Sequence, residues 1–217
     1  MRMTQRTVAV VPLRSPGAGK TRLAGALSPR ERAALAAAML TDVVAALRSA
    51  EVDEVVLAAG GPGAVTAATA LGVSCLPDPV GAADLNEALG AATDRFAPAS
   101  DVLVVVADLP RITGQDVLAV LAADAEVVVA PNRGGGTAAL LRRPGDRIPT
   151  AFGPASAQRH LDLATAHGAT TAVVARRRLH CDVDTLDDVR ALGHGPVGTA
   201  TAAVLGGFDH RGVREAR

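Results

Sequence analysis

"DVLVVVADLP", Asp101–Pro110, is an unbroken Val/Leu run flanked by acids, the most apolar strand-like segment of the chain. A run apolar on both faces belongs at the centre of a sheet covered on both sides. Outward from it, short β-branched runs alternate with longer Ala- and Leu-rich segments. "TVAVVPL" (7–13), "EVVLAAG" (54–60), "GVSCLP" (72–77), "EVVVAPN" (126–132), "GTAALLRR" (136–143) and "TAVVA" (171–175) read as strands. Helices are predicted between them. "SPRERAALAAAMLTDVVAALRSA" (28–50) opens with Ser28, Pro29 and Glu31 at capping-box spacing. Asp84 and Glu87 repeat that spacing before "LNEALGAATDRF", Thr113 caps "GQDVLAVLAA", and "PASAQRHLDLATAHG" ends at Gly168. A last helix is "TLDDVRAL" (185–192). This alternation specifies an α/β fold, a mostly parallel sheet with helices on both faces. Residues 1–193 are expected to form one domain, and 194–217, weakly periodic with charged ends, a loosely ordered tail.

Composition narrows the function. The 22 basic and 22 acidic residues cancel, so the chain lacks the electrostatic footprint of a nucleic-acid or anionic-membrane binder. With no Trp or Tyr and three Phe it offers no stacking platform for single strands. No apolar window is long enough to span a bilayer. Cys75 and Cys181 suggest neither a disulfide framework nor a zinc site. A soluble cytoplasmic enzyme is the expectation.

Open α/β sheets bind ligands at the carboxyl ends of their strands. Several unusual segments fall there. "LRSPGAGKTRLAGAL" (13–27) carries Gly-Lys-Thr, and Lys20 is the sole lysine of the chain. A Walker A loop needs glycine where Arg14 stands, and Pro16 removes a backbone donor. A basic loop of Arg14, Lys20 and Arg22, with Gly17 and Gly19 admitting backbone amides, still suits a triphosphate; the alternative is a plain surface turn. Asp108, at the end of the central strand, is either a Mg²⁺ ligand or a turn residue. Asp182 and Asp184 alternate on an extended segment, so both carboxylates face one way and, with Asp108, make a three-acid metal site; the alternative is capping of the last helix by Asp184 or Thr185. The glycines before Thr137 mark a close backbone approach or a hairpin. Gly153 and Pro154 start a helix whose Ala155 and Ser156 N–H groups and Ser156 hydroxyl face either an anion or only the helix cap. Arg176–Arg178 read as a solvated turn ahead of a phosphate contact, and His160 and His167 as surface or packing residues.

"VPLRSPGAGKTRLAGALSPRERAALAAAMLTDVV", "LPDPVGAADLNEAL", "VVVADLP", "GTAAL", "FGPASAQRHL" and "CDVDTLDDVRAL", in this order, resemble the CofC-type guanylyltransferases, the 2-phospho-L-lactate or phosphoenolpyruvate guanylyltransferases of deazaflavin coenzyme F-420 biosynthesis. The resemblance implies a Rossmann-like nucleotidyltransferase fold related to that of the molybdenum-cofactor guanylyltransferases. It implies GTP and a three-carbon phospho-acid as substrates, GMP transfer and pyrophosphate release. Asp108, Asp182 and Asp184 match the acids expected to hold Mg²⁺. Leu13, Arg14, Gly19, Lys20 and Arg22 fall on the nucleotide loop, and Asn86 on a nucleotide-side segment where helix capping is the alternative. Thr137, Gly153 and Ser156 match the acceptor contacts, and Lys20, Arg22 and Asp108 the catalytic set. The unstable diphosphodiester product invites channelling to a downstream transferase, and the sequence is compatible with an oligomer. Rival readings are a molybdenum-cofactor or sugar-phosphate nucleotidyltransferase, a small P-loop kinase, and a non-catalytic GTP-binding protein.

Overall fold

The structure, a computed structural model, describes residues 5–13, 23–59, 62–79, 84–193 and 195–208. Along the chain run β1 (Thr7–Leu13), α1 (Pro29–Ser49), β2 (Glu54–Ala59), α2 (Pro62–Leu71), β3 (Ser74–Leu76), α3 (Leu85–Asp94) and β4 (Asp101–Val105). Then follow α4 (Gly114–Leu121), β5 (Val127–Pro131), β6 (Thr137–Arg142), α5 (Ser156–Ala166), β7 (Thr171–Val173), α6 (Leu186–Leu192) and α7 (Thr199–Gly207). The strands form one sheet in the order β3-β2-β1-β4-β6-β5-β7, with β4 in the middle as its apolarity predicts. β1–β2, β1–β4, β2–β3 and β5–β7 pair parallel. β6 runs antiparallel to both β4 and β5, because β5 and β6 form a hairpin.

Alternation along the strands sorts side chains onto two faces. Ala9, Val11, Leu57, Leu103, Val105 and Val128 pack with α1 and α4 residues such as Leu40, Val43, Leu47 and Val117. Val8, Val10, Val56, Val102, Val104 and Val129 pack against α3 and α5 through Leu89, Ala92, Ala157 and Ala164. The predicted caps close the helices. Ser28 N–H donates to the Glu31 carboxylate at 2.7 Å, and Glu31 N–H donates to Ser28 Oγ at 3.2 Å. Asp84 accepts from the N–H groups of Asn86 and Glu87. Among the described residues no helix is long and apolar enough to cross a membrane.

Of the segment expected as a loose tail, 194–217, residues 195–208 differ from that expectation, and 194 and 209–217 lie outside the described residues. Residues 199–207 form α7, and Phe208 joins Leu35, Met39, Val183 and Leu192 in a third cluster. The cause is a cap supplied from far away in the chain. Asp42, buried in the middle of α1, accepts from Ala200 N–H at 3.0 Å and Thr201 N–H at 2.9 Å. A carboxylate at a helix N-terminus satisfies orphan donors and meets the positive end of the dipole. Gly198 has an ordinary φ of −61°, yet a Cβ there would collide with the Asp42 carboxylate. Its lack of a side chain is therefore a matter of space.

A second buried polar group sits on α5. His160 is fully buried, and its ring and that of Phe152 stand roughly perpendicular with centroids 5.0 Å apart. Burial first, then the Arg142 and Arg159 guanidinium charges, push its pKa down to about 4. The ring is neutral at physiological pH.

Two stability measurements test these groups. Asp42→Ala is expected to cost about 1–2 kcal/mol, the range for a lost cap, read as a lower urea midpoint with the slope retained. For His160, the unfolded ring takes up its proton near pH 6.5 and the folded ring only near 4. The unfolded state therefore binds more protons between those values, and stability falls as pH falls through that window, by up to ~3 kcal/mol. A His160→Gln chain lacks this uptake and is expected to lose less stability than the parent over the same window in urea titrations.

Candidate functional site

Some of the predicted residues can be placed at the carboxyl edge of the sheet. β1 and β4 run parallel, so Leu13 at the end of β1 and the residues after Val105 leave on the same edge. Val106 N–H donates to Ala138 O at 3.0 Å, which brings the start of β6 beside the exit of β4. Asp108, half-buried, follows two residues later and is anchored by the fully buried Leu109. Thr137 is the first residue of β6 and is 4% exposed. Arg14, Gly19, Lys20 and Arg22, expected on the nucleotide loop after Leu13, lie outside the described residues.

Thr137, Ser156 and His160 form one buried polar cluster. Ser156 Oγ donates to Thr137 Oγ1 at 3.0 Å, and Thr137 Oγ1 lies 3.0 Å from His160 Nδ1. On the far side of the ring, Ala151 N–H donates to Nε2 at 2.9 Å. His160 is not a plain packing residue, as its sequence context suggested. Its spacing of four from Ser156 on a helix was the available signal, since that spacing puts both on one face. His167, by contrast, is exposed.

The start of α5 departs in detail from a free anion cradle. Ser156 N–H donates to Gly153 O at 3.2 Å, and Ala157 N–H donates to Gly135 O at 3.1 Å. With its hydroxyl turned to Thr137, Ser156 spends both donors inside the fold. Gly153 has φ +133°, a conformation closed to most side chains, and it sets the sharp entry into the helix. Arg159 clamps the same turn by donating to Pro154 O and Ala151 O.

Asn86 does not cap α3, which Asp84 does. Its amide instead pairs with both backbone groups of Phe152: Oδ1 accepts from Phe152 N–H at 2.6 Å and Nδ2 donates to Phe152 O at 3.0 Å. Thr150 Oγ1 adds a bond to Asn86 O at 3.1 Å. The helix on the expected nucleotide side is thus tied to the loop that carries Gly153.

The three glycines make a hairpin and a close approach together. Asn132 N–H donates to Gly136 O at 2.9 Å, and Asn132 Oδ1 accepts from Gly136 N–H at 2.6 Å. A Cβ on Gly136 would stand 2.9 Å from Asn132 Nδ2, and Gly135 has φ +77°. Asn132 Nδ2 then donates to Asp182 Oδ2 at 2.7 Å, linking the hairpin to the acidic segment. Sequence reasoning missed Asn132; its signal was an Asx residue ending a strand just before glycines.

Val183, fully buried in the third cluster, anchors the acidic segment between half-buried Asp182 and exposed Asp184. Thr185 takes the N-cap of α6. Burial works to raise the Asp188 carboxyl, but bonds from Thr185 and Asp184 and the Arg133 charge hold it below the usual value. Beside this segment lies a cavity of about 740 Å³ whose wall includes Asp182, Arg111, Arg133, Arg177 and His180. Arg176 and Arg178 also line it, each 3.9 Å from the buried Asp116 carboxylate. The arginine run therefore faces a cavity as well as solvent. Among the described residues no three His, Cys, Asp or Glu side chains form a ready metal cluster.

Comparison with known proteins shows the family. Residues 7–205 match the family described as "Guanylyl transferase CofC like". The chain is 37% identical over 202 residues to the phosphoenolpyruvate guanylyltransferase of Sphaerobacter thermophilus, covering 90% of this chain and 97% of that protein. It is 36% identical over 208 residues to the 2-phospho-L-lactate guanylyltransferase of Methanosphaerula palustris, covering 95% and 92%. Among solved structures, a nucleotidyl transferase from Methanothermobacter superposes with a TM-score of 0.64 at 18% identity, covering 87% of this chain and 97% of that one. Rv0371c from Mycobacterium tuberculosis, solved in complex with manganese, superposes with a TM-score of 0.54 at 21% identity, covering 89% and 100%. A family match spanning nearly all of the chain and relatives of 36–37% identity over most of their length show that this protein belongs to the CofC-like guanylyl transferases.

Proposed function

We propose that this chain transfers GMP from GTP to the phosphate of phosphoenolpyruvate or 2-phospho-L-lactate and releases pyrophosphate, a step of coenzyme F-420 biosynthesis. The observation that carries the reading is the buried Thr137–Ser156 hydroxyl pair at the carboxyl edge, next to the exit of β4 and Asp108. It suits a small anionic acceptor held near a nucleotide. The relatives named for each of these two activities support the reaction class.

A phosphate oxygen of the acceptor attacks the α-phosphorus of GTP. A new P–O bond forms as the bond from the α-phosphorus to the bridging oxygen breaks, and pyrophosphate takes the electron pair. The acceptor phosphate is already an anion, so the step needs no general base. Catalysis then rests on alignment and charge neutralisation. Thr137 and the Gly153 turn hold the acceptor, and Ser156, whose donors are spent inside the fold, orients Thr137. Lys20 and Arg22, the sole lysine and its neighbour on the glycine loop, steady the departing pyrophosphate.

Carboxylate oxygens are the hard donors that Mg²⁺ prefers. That ion commonly takes one or two carboxylates plus substrate phosphates, retaining waters, and does not need an all-protein cage. Asp108, with Asp182 or Asp184, is a donor set of that kind, so the acids fit Mg²⁺ by chemistry without forming a closed cluster of three. When bound, the ion offsets repulsion between the two polyanionic substrates.

The decisive experiment is pyrophosphate release with GTP and Mg²⁺, offering phosphoenolpyruvate, 2-phospho-L-lactate and a sugar 1-phosphate in separate reactions. Turnover with either phospho-acid is expected; turnover with the sugar phosphate alone would overturn the assignment. Asp108→Asn is expected to lower kcat about 10²–10³-fold, and Lys20→Ala about 10²-fold, as for lost electrostatic contacts to developing charge. Circular dichroism should show both variants folded.

A further inference from the structure

The bond chain through His160 has a direction, and one end decides it. Ala151 N–H, 2.9 Å from Nε2, can only donate. Nε2 must therefore carry a lone pair, and in a neutral ring the proton sits on Nδ1. Nδ1–H then donates to Thr137 Oγ1 at 3.0 Å. Ser156 Oγ donates to the same oxygen at 3.0 Å. With both of its lone pairs occupied, the Thr137 hydroxyl has only its own proton left to offer.

The surroundings hold this polarity in place. His160 is fully buried and its pKa is pushed down to about 4, so the ring stays neutral when the enzyme works. Phe152 meets the ring nearly edge-on at 68°, and Phe152 is itself gripped on both backbone groups by Asn86. Buried chains of this kind also polarise one another.

We propose that His160 is a positioning residue that commits Thr137 to be an outward hydrogen-bond donor, so that the acceptor pocket selects an anionic oxygen, carboxylate or phosphate. The proposal rests on Thr137 being an acceptor contact. It differs from a packing role because it depends on which ring nitrogen carries the proton.

Substitutions separate the two nitrogens. His160→Asn keeps a donor near the Nδ1 position but offers Ala151 no acceptor. His160→Gln keeps an acceptor near Nε2 and removes the donor to Thr137. The assay is steady-state pyrophosphate release with GTP and whichever phospho-acid the parent turns over. His160→Gln is expected to raise the phospho-acid KM about tenfold, the scale of one hydrogen bond to a charged group, with the KM for GTP changed less than about twofold. His160→Asn recovers most of that loss. In a Thr137→Val chain, His160→Gln adds less than about twofold, because the two changes remove one interaction. Equal effects of Asn and Gln, or a full effect of Gln on top of Thr137→Val, would reduce His160 to packing. An unchanged phospho-acid KM in Thr137→Val alone would instead remove the acceptor assignment beneath the proposal. Should the His160 variants not fold, the parent still decides: its ¹⁵N imidazole signals must show Nδ1 protonated and Nε2 bare, and the opposite tautomer overturns the inference.

Discussion

The reversal of β6 between β4 and β5 is the constraint on which the site depends. A parallel sheet collects strand exits on one edge. β6 runs the other way, so it brings its start to that edge. Thr137 is thereby set next to the exit of β4, and Asp108 follows from the same exit. A reversal this tight needs a turn whose backbone approaches a side chain closely. Asn132 provides the side chain and Gly136 the space, since a Cβ there would press on the Asn132 amide. The glycines serve the geometry of the fold first and the site through it.

Asn132 and Asn86 act as struts of the same kind. Each uses an amide side chain to bind backbone or acid from another part of the chain: Asn132 joins the hairpin to Asp182, and Asn86 joins α3 to Phe152. Such bonds are individually modest, about 1 kcal/mol net. Their effect here is directional. They hold the loops that bear Asp182 and Gly153 against the rigid sheet, and Phe152 in turn bears on His160. A neutral histidine, two hydroxyls and a glycine turn clamped by Arg159 then form one polar cluster. The cavity beside Asp182 is, by contrast, lined by several arginines.

Much of the architecture was legible because it is written locally. The apolar stretch at 101–110 marked the central strand, since only a strand covered on both faces tolerates such a run. Ser28, Asp84 and Thr185 marked helix starts because a cap and its partners lie within three residues. The helix at 199–207 was not legible. Its cap, Asp42, lies in the middle of α1, and nothing near Thr199 in sequence announces it. The bonds that tie His160 to Thr137 and Asn132 to Asp182 were not legible either, since those partners are 23 and 50 residues away.

The sequence by itself determined the elements and their alternation, because periodicity and capping act over a few residues. It also supplied Thr137, Ser156 and Asp108 as residues worth watching. Only the tertiary structure decided how they are wired. It turned Ser156 towards Thr137, gave Asn86 to Phe152, and set a backbone N–H against one nitrogen of His160. A hydroxyl or an imidazole is both donor and acceptor in the abstract; which it becomes depends on the neighbour that packing brings to it.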